Sequence, residues 1–177
     1  MRRPTKRSKD LRIGLWNVLS LYRSKSLQIL LDQLEKYVDI TCVQEIRWVG
    51  SGIIENKDWI IFYSCDKKEY KLGTGFVIHK KVKHLIVNFQ FKSHRMCWLR
   101  IRGKFFNYSI INADVPMEDK SDIEKDASYD GLRSLYDACL KNDVKLIISS
   151  GVLRGVVWGV QTPPPEIPKI SVESSIA

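Results

Sequence analysis

Asn17 and Glu45 are the residues whose types and positions could act together on a ligand. Glu45 ends a short apolar, β-branched run over 40–43, where the hydrophobic pattern stops at Gln44-Glu45. Such a run is the pattern of a buried strand. A carboxylate at the tip of a buried strand is held rigidly at a sheet mouth and suits a hard cation. A second run over 11–18 also finishes on a polar residue, Asn17. A lone Glu at a strand end is ordinarily a solvated charge, and the second polar tip is what argues against that reading here.

The intervening residues decide whether the two tips can meet. Leu27, Leu30, Leu31 and Leu34 follow the i, i+3, i+4, i+7 spacing of an amphipathic helix, with Ser24 or Ser26 as its cap and its end near residue 37. Strand, helix, strand in that order predicts a parallel pair, with Asn17 and Glu45 at the same carboxyl end of a sheet. That is where α/β sheets bind ligands. Residues 48–58, with Gly50 and Gly52, read as a surface loop, and strands are predicted over 59–63 and 73–78. Gly73-Thr74-Gly75 precedes a strand and not a helix, so it is no nucleotide-binding fingerprint.

Further strands are predicted over 84–91, 96–102 and 105–112, the last two joined by a tight hairpin at Arg102-Gly103-Lys104. Arg100 and Arg102 alternate with Leu99 and Ile101, giving one basic face and one apolar face. A solvated face is the plainer reading of that alternation, and phosphate contact the second. The acids between 114 and 130 open a helix over 122–141, with Leu132, Leu135 and Leu140 inward. The helix dipole accounts for them without a metal. A buried strand over 144–148 follows, and beyond it the pattern is lost.

A net charge of +9 and a pI near 9.4 favour acidic partners, nucleic acid first. A generic basic protein that binds polyanions weakly fits the same composition. Residues 1–10 carry Arg2, Arg3, Lys6, Arg7 and Lys9 without apolar pattern and read as a disordered basic arm. Four scattered cysteines make no C-x-x-C pair, so zinc is not expected, and Cys42 and Cys97 read as buried thiols. No apolar run approaches a membrane span and no signal-type core follows the basic arm, so an intracellular protein, nuclear or cytoplasmic, without membrane partners is expected.

Four motifs carry a family resemblance: L-W-N-V at 15–18, Q-E-I-R-W at 44–48, L-G-T-G-F-V-I at 72–78 and R-G-K-F-F-N-Y-S-I-I-N at 102–112. In this order they resemble the endonuclease/exonuclease/phosphatase superfamily, and within it the apurinic-type endonuclease domain of RTE-like non-LTR retrotransposons. The resemblance implies an α/β fold, the N-terminal part of a four-layer α/β/β/α sandwich whose second half is missing. It divides the chain into the arm at 1–10, a truncated domain at 11–149 and a disordered tail outside the family at 150–177.

The resemblance also implies a metal-dependent DNA endonuclease, with Glu45 and Asn17 holding Mg2+ and Asn112 as a further site residue. The His or Tyr expected two residues beyond Asn112 is Asp114. Where the family carries Gly-Asp-Phe-Asn-Ala, this chain reads Ser149-Ser150-Gly151-Val152-Leu153, and no Ser-Asp-His follows. His79, His84 and His94 all lie upstream. General bases and charge-stabilising partners contribute orders of magnitude each. The expectation is therefore a weak Mg2+ site, weak and non-specific DNA binding, and no catalysis by this chain. The alternatives are a non-catalytic nucleic-acid-binding remnant or a decayed reading frame.

Overall fold

The computed structural model describes residues 10–116, 120–149 and 169–171. The basic arm up to residue 9 and most of the tail lie outside the described residues. In chain order the elements are β1 (Asp10–Asn17), α1 (Ser26–Leu34), β2 (Ile40–Gln44), β3 (Ser51–Asn56), β4 (Trp59–Ser64) and β5 (Thr74–His79). A 3-10 turn (Lys80–Leu85) leads to β6 (Ile86–Ser93), β7 (Met96–Ile101), β8 (Tyr108–Ala113), α2 (Asp122–Ala138), β9 (Val144–Ser149) and β10 (Lys169–Ser171). They form a six-stranded sheet, β10-β1-β2-β5-β4-β3, and a four-stranded sheet, β6-β7-β8-β9.

Alternation along the strands builds four layers. Leu11, Ile13 and Leu15 of β1, Ile40 and Cys42 of β2, and Phe76 and Ile78 of β5 meet Cys97, Leu99, Ile101 and Ile110 of the second sheet in one core. The intervening residues Val43, Ile61 and Val77 point the other way, onto Leu30, Leu31 and Leu34 of α1. On the outer face of the second sheet, Trp98, Ile111 and Ala113 pack under Leu132 and Leu135 of α2. Strands covered on both faces need apolar residues at nearly every position, which is why β2 and β5 carry no polar alternation. The result is the expected α/β/β/α order.

Several expectations about single elements are corrected. The loop read over 48–58 contains β3, which pairs residue for residue with β4 from Ser51↔Ser64 to Asn56↔Trp59. Its side chains are mostly exposed, Ile53 and Ile54 among them. Ladder hydrogen bonds define this edge strand, and they leave no trace in hydropathy. Neither Ser24 nor Ser26 caps α1: its N-cap is Lys25 in the left-handed region, and the Ser26 hydroxyl donates to the Arg23 carbonyl at 2.5 Å. The link between β7 and β8 spans 102–107, and the Arg102 amide donates to the Leu85 carbonyl on the β6 side. Leu140 lies past the end of α2 and is exposed. As an edge strand, β9 is only half-buried.

Within the segment expected to have no element of its own, β10 pairs antiparallel with β1, from Arg12↔Lys169 to Asp10↔Ser171. A run of this length among prolines and serines carries no readable period. Cys42 and Cys97 are unpaired and buried, as expected. Burial pushes the Cys97 thiol up to about 12, so it stays protonated. Among the described residues no helix is long and apolar enough to cross a membrane.

Candidate active site

The sheet registers bring the carboxyl ends of β1, β2 and β4 together. β1 and β2 are parallel with Asn17 opposite Gln44, and Gln44 in turn faces Thr74 of β5, which faces Ser64 of β4. In the second sheet, Ala113 at the end of β8 faces Met96 at the start of β7. Two buried amides fasten these ends to each other. Gln44 Nε2 donates to Asn112 Oδ1 and to the Ala113 carbonyl, both at 3.0 Å. Asn112 Nδ2 donates to the carbonyls of Val43 at 3.0 Å and Gly75 at 2.8 Å. Glu45 follows Gln44 and Asp114 follows Ala113, so carboxyl groups from both sheets meet at one mouth.

Asn17 and Glu45 are in direct contact there, Asn17 Nδ2 donating to Glu45 Oε1 at 2.8 Å. The Leu19 amide donates to Asn17 Oδ1 at 3.0 Å and fixes the amide's orientation. Asn112, the third expected site residue, is elsewhere: it is fully buried between the sheets and its amide hydrogens are taken by backbone carbonyls. Its place follows from parity, since Ile110 two residues earlier faces the same intersheet core.

The segment carrying Glu45 is held in an unusual conformation. Glu45 (φ 56°) and Arg47 (φ 59°) lie in the left-handed region, as do Leu19 (φ 50°) and Lys25 (φ 74°) in the preceding loop. Non-glycine residues rarely stay there unless neighbouring structure holds them. Here the amides of Ser20 and Leu21 donate to the carbonyls of Glu45 and Ile46, both at 2.9 Å. On the other side the Ile46 and Arg47 amides donate to the carbonyls of Gly73 (3.2 Å) and Leu72 (2.7 Å). Two loops thus clamp the Glu45 segment between them.

Two residues shape the charge of the site: Arg47, which the sequence reading did not single out, and Asp114, which stands where the family resemblance expects His or Tyr. Arg47 pairs with Glu45 Oε2 at 2.8 Å. Asp114 is half-buried, its Oδ2 enclosed and lacking a hydrogen-bond partner. Burial raises its carboxyl above the ordinary range; Arg95 and His94 pull it down, and the nearby negative charge of Glu45 adds to the rise. Arg100, by contrast, is not available to a ligand. It donates to both Asp143 oxygens, at 2.7 and 2.9 Å, on the flank of the second sheet.

Solved structures share this architecture, and curated proteins share part of the sequence. No family model matches. Craniofacial development protein 2 of Bos taurus and its counterpart in Tragulus javanicus are each 29% identical over 160 residues, 90% of this chain and 26% of theirs. An endonuclease/exonuclease/phosphatase family protein from Leptotrichia buccalis superposes with a TM-score of 0.52 at 12% identity, covering 78% of this chain and 65% of that one. The AP endonuclease LMAP from Leishmania major superposes with a TM-score of 0.51 at 13% identity, covering 81% and 55%. The fold is that of the endonuclease/exonuclease/phosphatase family. This chain spans about a quarter of the length of the curated relatives it matches.

The residues at the mouth fit the divalent cation associated with this fold family poorly. One Glu45 oxygen accepts from the Asn17 amide and the other from the Arg47 guanidinium. Asn17 Oδ1 is committed to the Leu19 amide. Among the described residues no group of three His, Cys, Asp or Glu side chains could hold a metal. A hard cation requires several unshared oxygens, whereas both Glu45 oxygens are taken and Asp114 contributes one unpartnered oxygen, Oδ2.

Proposed function

We propose that this chain provides a nucleic-acid-binding face at the shared mouth of its two sheets, in a nuclease-like fold whose hydrolytic machinery these 177 residues do not complete. The single observation that carries the reading is the Asn17–Glu45–Arg47 cluster, a carboxylate at a sheet mouth already satisfied by an amide and a guanidinium. An unneutralised metal-binding carboxylate would repel a phosphate, whereas a paired one leaves the surrounding cations to attract it. Those cations include Lys67, Lys68, Lys92 and Arg95 at the same end of the sheets. The motif order supports descent from a retrotransposon-type DNA endonuclease. Mg2+ at Glu45 and Asn17 belongs to that ancestry and is held weakly here, because Arg47 competes for the carboxylate.

DNA binding should be weak and fall steeply as salt rises, since phosphate contact without base readout is a counterion-release effect. Anisotropy titrations of a labelled duplex over a salt series check this, and an affinity flat in salt contradicts it. Charge reversal at Lys68 should weaken binding, while reversal at Lys83, at the far end of the sheets, should leave it unchanged. Equal effects at both positions would mean that net charge alone is responsible.

A further inference from the structure

Two exposed tyrosines stand on the rim of this mouth. Tyr22 and Tyr70 meet edge to face, with ring centroids 5.1 Å apart and an interplanar angle of 74°. They are 66% and 57% exposed. They come from the two loops that clamp the Glu45 segment. Tyr22 follows Leu21, whose amide donates to the Ile46 carbonyl, and Tyr70 lies two residues before Leu72, whose carbonyl accepts from the Arg47 amide. Rings this exposed bury little surface, so core packing does not account for them. The edge-to-face arrangement leaves π-surface open to solvent.

The surroundings are basic. The first loop adds Arg23 and Lys25 without an acid, and the second adds Lys67, Lys68 and Lys71 against Asp66 and Glu69, the latter paired with Lys71 at 2.8 Å. Aromatic faces beside exposed cations make the combination that holds unpaired bases: the cations take the phosphates and the rings stack on the bases without regard to sequence. A duplex offers no free base face, so rings on this rim favour single-stranded or locally unpaired nucleic acid.

We infer that Tyr22 and Tyr70 form a base-stacking platform, and that the preferred ligand of the mouth is nucleic acid with unpaired bases. This rests on the nucleic-acid reading above and narrows it. The test compares a dye-labelled single strand with the duplex of the same sequence, by anisotropy, in EDTA so that metal chemistry plays no part. The wild-type chain should prefer the single strand. Tyr22→Ala and Tyr70→Ala should each weaken single-strand binding by roughly tenfold, the scale of one lost base stack, with little effect on the duplex and an unchanged salt slope. Tyr70→Phe should bind as wild type. Tyr70→Leu keeps an apolar contact for Tyr22 but lacks a π-face, and should lose as much as Tyr70→Ala. Full retention by Tyr70→Leu, or equal losses on both ligands, would overturn the platform. Duplex binding without single-strand preference overturns it while leaving the broader reading intact. Binding to neither ligand overturns both, and the exposed pair would then fit a protein partner.

Discussion

Arg47 determines what Glu45 can hold. It occupies one carboxylate oxygen at 2.8 Å while Asn17 occupies the other. Both charged side chains retain solvent exposure, 46% and 22%, which limits the strength of their pair. Arg47→Ala should therefore raise divalent-cation affinity modestly, by about fivefold at most, as read by Mn2+ titration. An unchanged affinity would mean that Arg47 does not compete. Asp114 gives a prediction with a pH sign. Its carboxyl titrates above its unfolded value because burial disfavours the anion. The native state therefore holds that proton more tightly, and this group's contribution to stability is full below the unfolded value. It is lost as pH rises through the folded one. Asp114→Asn should gain in melting temperature over wild type at neutral pH, and the gain should vanish as pH drops below the ordinary carboxylate range. A gain independent of pH would refute the burial account. The Asn17–Glu45 contact was legible in the sequence because two apolar runs each stop on a polar tip. Arg47 was not, since its role depends on a left-handed backbone turn that no spacing announces.

Among the elements, β5 has the least tolerance. Gly75 is its second residue, paired to Val43 on one side and Tyr63 on the other. A Cβ there would lie 2.2 Å from the Phe62 carbonyl oxygen and 3.0 Å from the Ile46 side chain. The backbone of β4 cannot yield without breaking its ladder, so Gly75→Ala should destabilise by about 2 kcal/mol or more, measured by urea unfolding. A cost well under 1 kcal/mol would show that the sheet relaxes freely. The buried strands were legible as short apolar runs, and the helices through the spacing of their leucines. β3 and β10 were not, since an edge strand is held by its backbone. The cap of α1 was misread because Lys25 adopts a left-handed conformation where a serine was expected to bond.

At the scale of the whole molecule, the Gln44–Asn112 amide bridge makes the two sheets share a mouth. Asn112 illustrates how far the sequence reading reached: its strand and strand end were correct, but its face was not weighed. Its side chain is buried between the sheets, with both amide hydrogens taken by backbone carbonyls. The four-layer order was implied by the family resemblance and not by hydropathy, since β2 and β5 are apolar on both faces. The central proposal is that this chain, with the fold of the endonuclease/exonuclease/phosphatase family, binds nucleic acid at the shared mouth of its sheets and does not hydrolyse it. The most direct test is nicking of supercoiled plasmid, and of a duplex with an abasic site, by purified residues 1–177 in Mg2+. The account predicts no cleavage above background. Cleavage that EDTA abolishes, and that Glu45→Ala abolishes as well, would contradict it.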